Sequence, residues 1–312
     1  MKIGVDIMGG DNAPEVTTMG TIQAIGKIPD HARLVLIGDE QKILEIFNRE
    51  NIDPAKVDII TSKDDIKTDD NPTKALTLKP ESSIAKGFAM LNSGKLDAFL
   101  SVGNTGAMMV GALFSVKAIS GIIRPGILSV LPKEHGGYGV LLDVGSNADC
   151  KPDVLYQYGI LGSLLAEHVF HVKNPKVGLL NIGEEEKKGN LLTQAAFPLM
   201  KDSKDFNFIG NVEGRDLYND RADVIVCDGF TGNVVLKQSE SFYELVKKRG
   251  FNDEFFERFN YEQFGGTPIL GINSTVMIGH GDSNANTIKN MIVFTEEVVE
   301  ADLPNKIRQA FQ

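Results

Sequence analysis

The stretch Leu96-Asp97-Ala98-Phe99-Leu100-Ser101-Val102-Gly103-Asn104-Thr105-Gly106-Ala107 passes from apolar to glycine-rich and back to apolar. The apolar run 98–102 predicts a buried strand, and the small apolar residues 107–119 are too many for a strand and predict a helix. A strand, a glycine-rich turn and a helix direct backbone N–H groups and a positive helix end toward one point, where an anion can bind. A tight turn capped by Thr105 explains the same residues without any ligand.

Turns of this composition recur along the chain, and their number favours anion binding over a capped turn that has no ligand. At least six predicted strands end in segments rich in Gly, Asn, Asp or Ser, including 6–14, 101–106, 144–147, 181–189, 210–216, 228–233 and 279–283. The carboxyl ends of parallel strands lie along one edge of a sheet, where folds of this kind bind ligands. The sequence therefore predicts an α/β protein with a mostly parallel sheet and a binding cleft at that edge.

The chain length and a change of pattern near residue 120 predict two lobes. A chain of 312 residues is long enough for about two domains. Before residue 120 strands and helices alternate, whereas 126–131 and 139–144 read as two strands joined by a hairpin-like connection. We expect residues 1–120 with 280–312 to form the first α/β lobe, and 121–279 to form the second, with the active-site cleft and dimerisation shared between them.

Composition restricts the partners and the compartment. A net charge of −10 argues against general affinity for nucleic acid or an anionic membrane. No apolar run approaches the ~20 residues of a membrane span, and the first residues lack the basic-then-apolar pattern of a signal peptide. Cys150 and Cys227 form no C-x-x-C pair and read as reduced thiols. These features predict a cytoplasmic protein.

Several familiar catalytic patterns are absent or incomplete. Neither a G-x-G-x-x-G dinucleotide fingerprint followed by an acidic residue nor a Walker-type G-x-x-x-x-G-K-[ST] occurs. Gly281-Asp282-Ser283-Asn284-Ala285 nearly reproduces a nucleophile elbow, but Ala285 replaces the last glycine. His168 and His171 share a helical face without a third metal ligand, and Cys227 lies inside a strand. Ordinary turns, half-buried histidines and a structural thiol are the favoured interpretations.

Five motifs occur in order from the first strand to the last helix: Asp6-Ile7-Met8-Gly9-Gly10-Asp11-Asn12-Ala13-Pro14, Ser101-Val102-Gly103-Asn104-Thr105-Gly106-Ala107, Asp228-Gly229-Phe230-Thr231-Gly232-Asn233, Tyr261-Glu262-Gln263-Phe264-Gly265-Gly266 and Gly279-His280-Gly281. Together they resemble the bacterial phosphate acyltransferases of phospholipid synthesis. The resemblance implies transfer of an acyl group from acyl-(acyl carrier protein) to inorganic phosphate, without a cofactor or metal. It also implies a fold like that of isocitrate and isopropylmalate dehydrogenases.

The same resemblance implies a biological setting. Members of this family are homodimers that lie peripherally at the inner face of the cell membrane. Their acyl phosphate is the substrate of a membrane glycerol-3-phosphate acyltransferase. Acyl carrier protein is acidic, so an acidic enzyme should present a local basic patch to it, and residues 247–249 (Lys-Lys-Arg) form the densest basic run.

The implied chemistry assigns roles to the strand-end turns. Phosphate is itself the nucleophile, so the site has to hold a dianion and stabilise an oxyanion on the thioester. His280 and Asn233 are candidates for polarising the carbonyl, Asp228 for shuttling a proton and Lys188 for supplying positive charge. The candidate residues for binding phosphate or the rest of the substrate are Asp6, Gly9, Gly10, Ser101, Gly103, Asn104, Thr105, Gly106, Asn147 and Arg215.

One segment departs from the family pattern, and two other functions stay open. Between Asn233 and Tyr261 many relatives carry a longer helical segment implicated in membrane contact. Here four phenylalanines at helical spacing could rest in a membrane interface, or pack against the sheet or a dimer partner: Phe251, Phe255, Phe256 and Phe259. A decarboxylating dehydrogenase would need metal ligands, for which Asp6, Asp143 and Asp228 are conceivable. A non-catalytic anion-binding module is the other alternative.

Overall fold

The computed structural model describes all 312 residues, Met1–Gln312. Its strands are β1 (Lys2–Asp6), β2 (Arg33–Gly38), β3 (Asp58–Thr61), β4 (Ala98–Ser101), β5 (Gly126–Pro132), β6 (Tyr138–Leu142), β7 (Lys176–Leu180), β8 (Asn207–Val212), β9 (Val224–Val226), β10 (Thr267–Leu270) and β11 (Thr275–Ile278). Its helices are α1 (Glu15–Ala24), α2 (Glu40–Arg49), α3 (Pro72–Leu78), α4 (Ser83–Asn92), α5 (Thr105–Gly111), α6 (Pro152–His168), α7 (Leu191–Lys201), α8 (Gly229–Lys248), α9 (Glu254–Glu257), α10 (Ala285–Glu300) and α11 (Leu303–Ala310).

The chain divides into two compact units at boundaries that differ in part from the expected ones. The first unit is Met1–Lys117 with Tyr261–Asp302, and the second is Ala118–Asn260 with Leu303–Gln312. The chain leaves the first unit after Lys117, close to residue 120, where the alternation of strands and helices was expected to end. It returns to the first unit at Tyr261, earlier than the expected residue 280, because β11 pairs with β4 and β10 pairs with β11. The last helix, α11, belongs to the second unit, where it packs against α6.

The first unit is built on a sheet with the order β3-β2-β1-β4-β11-β10. All neighbours are parallel except β10, which runs antiparallel to β11. The central strands β1 and β4 are almost fully buried, as expected of parallel strands covered by helices on both faces. Phe99 of β4 packs edge-to-face against Phe88 of α4, with ring centroids 5.3 Å apart. This packing fixes the strand that leads into the glycine-rich turn.

The second unit has its own set of strands, in the order β5-β6-β9-β7-β8. The β5–β6 pair is an antiparallel hairpin and the other pairs are parallel. Lys133 of the hairpin loop forms an ion pair with Asp223, and their side chains are only 9% and 10% exposed. Arg258 donates to the Lys133 and Gly137 carbonyls and lies over the Tyr138 ring. The loop is therefore fastened from two sides.

The predicted α/β class with a mostly parallel sheet is confirmed, and several elements, among them α3, α7, β10 and α11, were not predicted. Helix α3 begins with Asn71 as cap and Pro72 in the first turn, which are typical of a helix start. Strand β10 has four residues and α11 follows α10 almost without a break, so neither has a clear pattern of its own.

Three of the four phenylalanines between 251 and 259 pack within the protein. Phe255, Phe256 and Phe259 contact one another, and Phe259 also lies 4.8 Å from the Tyr218 ring centroid. Phe251 alone is exposed, at 66%.

None of the helices combines the length and apolarity that crossing a bilayer requires.

Candidate active site

In the first unit the turns after β1, β4 and β11 pack against one another. The Asp11 N–H donates to the Gly281 carbonyl at 2.8 Å, and the Gly279 N–H donates to the Ser101 carbonyl at 3.1 Å. A Cβ atom on Gly9 would lie 2.8 Å from the Gly103 nitrogen. The glycines are therefore required where these turns touch, because a side chain at Gly9 would separate them.

Asp6 and Ser101 are buried and fix the turn that contains Gly103. The Ser101 hydroxyl donates to Asp6 Oδ2 at 2.6 Å and accepts the Gly103 N–H at 2.9 Å. The Met8 N–H donates to Asp6 Oδ1 at 3.0 Å. Burial raises the pKa of the Asp6 carboxyl, and hydrogen bonds from Ser101 and Ser83 only partly oppose it. Both side chains hold backbone in place, and Ser101 is only 1% exposed.

Asn104, and not Thr105, caps helix α5. Asn104 Oδ1 accepts the Ala107 N–H at 2.8 Å. Its Nδ2 donates to the Lys67, Thr68 and Asp70 carbonyls at 2.9 to 3.3 Å. The alternative explanation, in which Thr105 caps the helix, is wrong in its choice of cap, because the longer Asn104 side chain can cap the helix and hold the preceding loop at the same time. The Asn104 amide is thus occupied by the protein itself.

The first backbone donors of α5 remain available. Thr105 and Gly106 are its first two residues, so their N–H groups have no partner within the helix. No other protein group accepts from them. Thr105 is exposed, and a Cβ on Gly106 would lie 2.5 Å from Pro72 of α3. This short turn therefore offers unused N–H groups at the carboxyl edge of the sheet.

His280 lies in the neighbouring turn of the same unit. Its ring centroid is 4.8 Å from that of Tyr261, whose hydroxyl donates to Asp282 at 3.1 Å. The Ser283 hydroxyl donates to the His280 carbonyl at 2.6 Å. Ser283 thus closes its own turn. Tyr261, which lies in one of the quoted motifs, was not predicted as a site residue.

In the second unit a buried aspartate organises the turn after β6. Asp143 accepts the Ile127, Ser146 and Asn147 N–H groups at 2.7 to 3.2 Å, together with the Ser146 hydroxyl at 2.7 Å. From the sequence alone, Asp143 is a candidate only as a metal ligand. The available signal was the run Asp143-Val144-Gly145-Ser146-Asn147, which follows a buried strand just as Asp6 ends β1.

The Asn147 side-chain amide is occupied by hydrogen bonds to other groups of the protein. Its Nδ2 donates to the Pro125 carbonyl at 2.8 Å and the Tyr158 hydroxyl at 2.7 Å. Burial strongly raises the pKa of the Tyr158 phenol. Burial also raises the pKa of the Cys150 thiol to about 11 and that of the Cys227 thiol well above its usual value. Neither thiol is therefore ionised near neutral pH, as nucleophilic attack by cysteine requires.

Asp228 and Asn233 belong to the start of α8. Asp228 caps the helix, with Oδ1 accepting the Thr231 N–H and Oδ2 accepting the Thr231 hydroxyl, both at 2.8 Å. The Gly229 N–H donates to the Asn147 carbonyl at 2.8 Å. Asn233 Nδ2 donates to the Val144 carbonyl at 3.1 Å. The structure therefore brings Asn147, Asp228 and Asn233 together around the Asp143 turn.

Lys188 and Arg215 lie in the turns after β7 and β8, and they differ in pairing. Arg215 forms ion pairs with Glu213 and, at 3.4 Å, with Glu184. Lys188 is exposed, its stem passes over Gly183, and its ammonium belongs to no ion pair. Lys188 is consequently the freer cation of the two.

The predicted site residues therefore form separate groups. Nine lie in the first unit: Asp6, Gly9, Gly10, Ser101, Gly103, Asn104, Thr105, Gly106 and His280. Five lie in the second: Asn147, Lys188, Arg215, Asp228 and Asn233. No three His, Cys, Asp or Glu side chains are grouped in a way that could hold a metal ion.

Comparison with known proteins gives one consistent family. Residues 1–306 match the family model described as fatty acid synthesis protein. The chain is 41% identical to the phosphate acyltransferase of Halothermothrix orenii, covering 99% of this chain and 98% of that protein. It is 42% identical to the phosphate acyltransferase of Acetivibrio thermocellus, covering 100% and 96%. Both alignments span 330 positions, so these relatives carry residues that this chain lacks.

Solved structures agree at the level of the fold. The EutD phosphotransacetylase from Staphylococcus aureus has a TM-score of 0.65 at 16% identity, covering 96% of this chain and 94% of its own. A branched-chain phosphotransacylase from Enterococcus faecalis V583 has a TM-score of 0.63 at 13% identity, covering 96% and 99%. Because the family model spans nearly the whole sequence and these relatives match it from end to end, the chain belongs to the fatty acid synthesis protein family and is an acyltransferase.

Proposed function

We propose that this enzyme transfers the acyl group of acyl-(acyl carrier protein) to inorganic phosphate, producing acyl phosphate and free carrier protein for phospholipid synthesis. The observation that carries the proposal is the end-to-end similarity, at 41% and 42% identity, to two proteins named phosphate acyltransferase. The open backbone donors at Thr105 and Gly106 supply the kind of group that an anionic substrate needs.

Phosphate binding is assigned to the first unit. The N–H groups of Thr105 and Gly106 hold the anion, and Gly9, Gly10 and Gly103 keep side chains away from it. Asp6, Ser101 and Asn104 act indirectly: they fix the turn but donate nothing to phosphate, because their polar atoms already bind protein groups. This division of labour supports a cradle made of backbone rather than side chains.

Roles toward the thioester are assigned to four of the candidate residues. Asn233 and His280 are the alternative candidates for stabilising the oxyanion, and Lys188 meets anionic substrate groups. Asn147 and Arg215 have structural partners that occupy them, so each is assigned a supporting role. Asp228 is assigned a proton-shuttling role, because each of its carboxylate oxygens accepts one hydrogen bond from Thr231 and keeps a second lone pair for a proton.

The reaction proceeds by direct attack. A phosphate oxygen forms a bond to the thioester carbon, the C–S bond breaks, and the thiolate takes up a proton. A thiol with a pKa near ~8.5 is a good leaving group, so protonation of the thiolate is a minor demand. The raised pKa values of Cys150 and Cys227 support a route without an acyl-cysteine intermediate.

Carrier protein is proposed to bind at the end of α8. Lys247, Lys248 and Arg249 are exposed there, and an acidic partner would favour such a cluster on an otherwise acidic protein. We also propose a homodimer, in the cytoplasm or peripheral to the membrane, that passes its product to a membrane glycerol-3-phosphate acyltransferase. The exposed Phe230, Val234, Phe242 and Leu245 of α8 support an interface on that helix.

The decisive experiment mixes purified enzyme with acyl-(acyl carrier protein) and phosphate and measures acyl phosphate and free carrier thiol. Equal amounts of both products are expected. No phosphate-dependent release of thiol would refute the proposal, and reduction of a nicotinamide cofactor with a 2-hydroxy acid would replace it with the dehydrogenase.

A second measurement tests the direct route. Enzyme incubated with radiolabelled acyl carrier protein in the absence of phosphate, and then denatured, should retain no covalent label. Label that stays on the protein and leaves when phosphate is added would establish an acyl-enzyme and overturn direct attack.

A further inference from the structure

Helix α5 and the π-helical turn Ala112–Val116 that follows it carry an uncharged strip, which begins at the turn with the open N–H groups. Two i, i+4, i+8 rows are at least partly exposed: Thr105, Met109 and Leu113 in one row, and Gly106, Val110 and Phe114 in the next. Residues three and four apart lie on one helix face, so the two rows are adjacent. We name these six residues the α5 strip. Leu113 and Phe114, at its far end, are 40% and 72% exposed.

The backbone at the far end of the α5 strip is irregular and specifically held. Residues Ala112–Val116 form a π-helical turn, in which the Lys117 N–H donates to the Ala112 carbonyl at 2.8 Å. The Asn273 side chain donates to the Val116 and Lys117 carbonyls at 3.3 and 3.1 Å. Turns of this type within helices are frequent at functional sites.

We propose that the α5 strip binds the acyl chain of the substrate, with Leu113 and Phe114 setting the preferred chain length. This inference rests on the proposed function and adds to it the position of the chain. The strip is continuous with the proposed phosphate site, because it starts at the residues whose N–H groups are assigned to phosphate. It also suits an uncharged chain, since no residue from Thr105 to Val116 is charged.

The length of the α5 strip also fits an acyl chain. From Thr105 to Leu113 a helix rises about 12 Å, at about 1.5 Å per residue. An extended chain advances roughly 1.2 Å per bond, because three backbone bonds span about 3.6 Å. The α5 strip therefore matches an acyl chain of about ten carbons, and longer chains would project beyond Phe114.

The exposed apolar area around the α5 strip is too small for a second copy of this chain to be the occupant. The exposed parts of Leu113 and Phe114, together with Leu78 on α3, amount to on the order of a few hundred Å² of apolar surface. A stable dimer buries about 800 Å² on each partner. The α5 strip is too small for that purpose and large enough for one chain.

The test compares carrier proteins loaded with acyl groups of 4, 8, 12 and 16 carbons, with phosphate as the second substrate. For the unmodified enzyme we expect kcat/KM to rise up to about ten carbons and then level off. The double variant Leu113→Ala/Phe114→Ala should lower kcat/KM roughly tenfold for 12 and 16 carbons and leave the 4-carbon substrate within about twofold. Val110→Asp, nearer the turn, should already impair the 8-carbon substrate. Leu199→Ala, an exposed leucine on α7, is the matched control and should change nothing.

The outcomes separate this proposal from the function on which it rests. No turnover of any chain length by the unmodified enzyme would refute the proposed function. Normal turnover with an equal effect of the double variant on all chain lengths, or with none, would overturn the α5 strip alone. A change in sedimentation coefficient caused by the double variant would also overturn it, since the surface would then join two copies.

Discussion

Helices α5 and α8 begin in the same manner, one in each unit, but their first N–H groups have different fates. Each follows a buried strand, and an Asn104 or Asp228 side chain caps its third residue. At α8 the Gly229 N–H is taken up by the Asn147 carbonyl and the Asp143 turn fills the adjoining space, so that of the first two N–H groups only that of Phe230 has no acceptor. At α5 the N–H groups of Thr105 and Gly106 stay open. The comparison teaches that the same strand–turn–helix motif can close on internal structure in one place and leave donors open for a ligand in the other.

The largest expected effect concerns the closed turn. Asp143→Ala removes the acceptor of four hydrogen bonds at 2.7 to 3.2 Å and leaves buried donors unsatisfied. We expect a loss of about 3–5 kcal/mol in the free energy of unfolding, measured by urea titration. Asp149→Ala, in the same segment but exposed, is the control and should change stability by less than about 0.5 kcal/mol. Equal stability of the two variants would remove the distinction between the turns.

The next effect locates the oxyanion donor. His280→Ala or Asn233→Ala should lower kcat by roughly a hundredfold, whichever residue stabilises the oxyanion. Asn233 also holds the Val144 carbonyl, so its variant needs a thermal unfolding measurement, whereas a loss of kcat in His280→Ala without a change in Tm assigns the role to the first unit. Full activity of both variants would exclude these residues from that role.

The open turn should be sensitive to any side chain that enters it. A Cβ on Gly103 would lie 3.1 Å from Gly9 Cα, so Gly103→Val should move the two turns apart. We expect the KM for phosphate to rise by about tenfold, because a displaced backbone donor loses a charge-assisted hydrogen bond. Gly214→Ala is the control, since its Cβ would meet nothing within 4 Å. An unchanged phosphate KM in a folded Gly103→Val enzyme would place the cradle elsewhere.

Lys188 and Arg215 of the second unit differ in whether their charges are already engaged in ion pairs. Lys188→Gln removes an unpaired charge and should raise the KM of an anionic substrate several-fold. Arg215→Gln removes a charge already shared with Glu213 and Glu184, and exposed pairs of this kind contribute only about 0–1 kcal/mol. Steady-state kinetics of both variants at low and high salt provides the measurement. A larger effect of Arg215→Gln would reverse the assignment.

The smallest effect is a pH dependence of stability. Because burial raises the pKa of Asp6 above its unfolded value of 3.8, its contribution to stability is fully present below that value and is lost as pH rises through the folded pKa. Asp6→Asn cannot ionise, so the difference in Tm between this variant and the unmodified protein should shift in favour of the variant as the pH rises from about 4 to about 7. A difference independent of pH would mean that Asp6 is not held against ionisation.

Sequence reasoning reached the α/β class, most strand positions and the family, because buried strands and glycine-rich turns leave local patterns. It could not tell which turns are open. Asn104 was interpreted as a phosphate donor, and only tertiary structure shows that its amide is taken up by residues 67–70, at least 34 positions away. The hydrogen bond between Asn147 and Tyr158 likewise depends on how α6 packs against the turn. Strand β10 was missed because its four residues become a strand only by pairing with β11.

Because the Lys133–Asp223 ion pair is buried, high salt should weaken the binding of carrier protein without unfolding the second unit. At about 1 M salt the screening length falls to about 3 Å, so the exposed Lys247, Lys248 and Arg249 would lose their attraction for a carrier protein. Lys133 and Asp223 are shielded from solvent ions, and Arg258 holds the same loop through neutral carbonyl groups. Carrier-protein binding should therefore be lost in concentrated salt and recovered when the salt is diluted, while the second unit stays folded throughout.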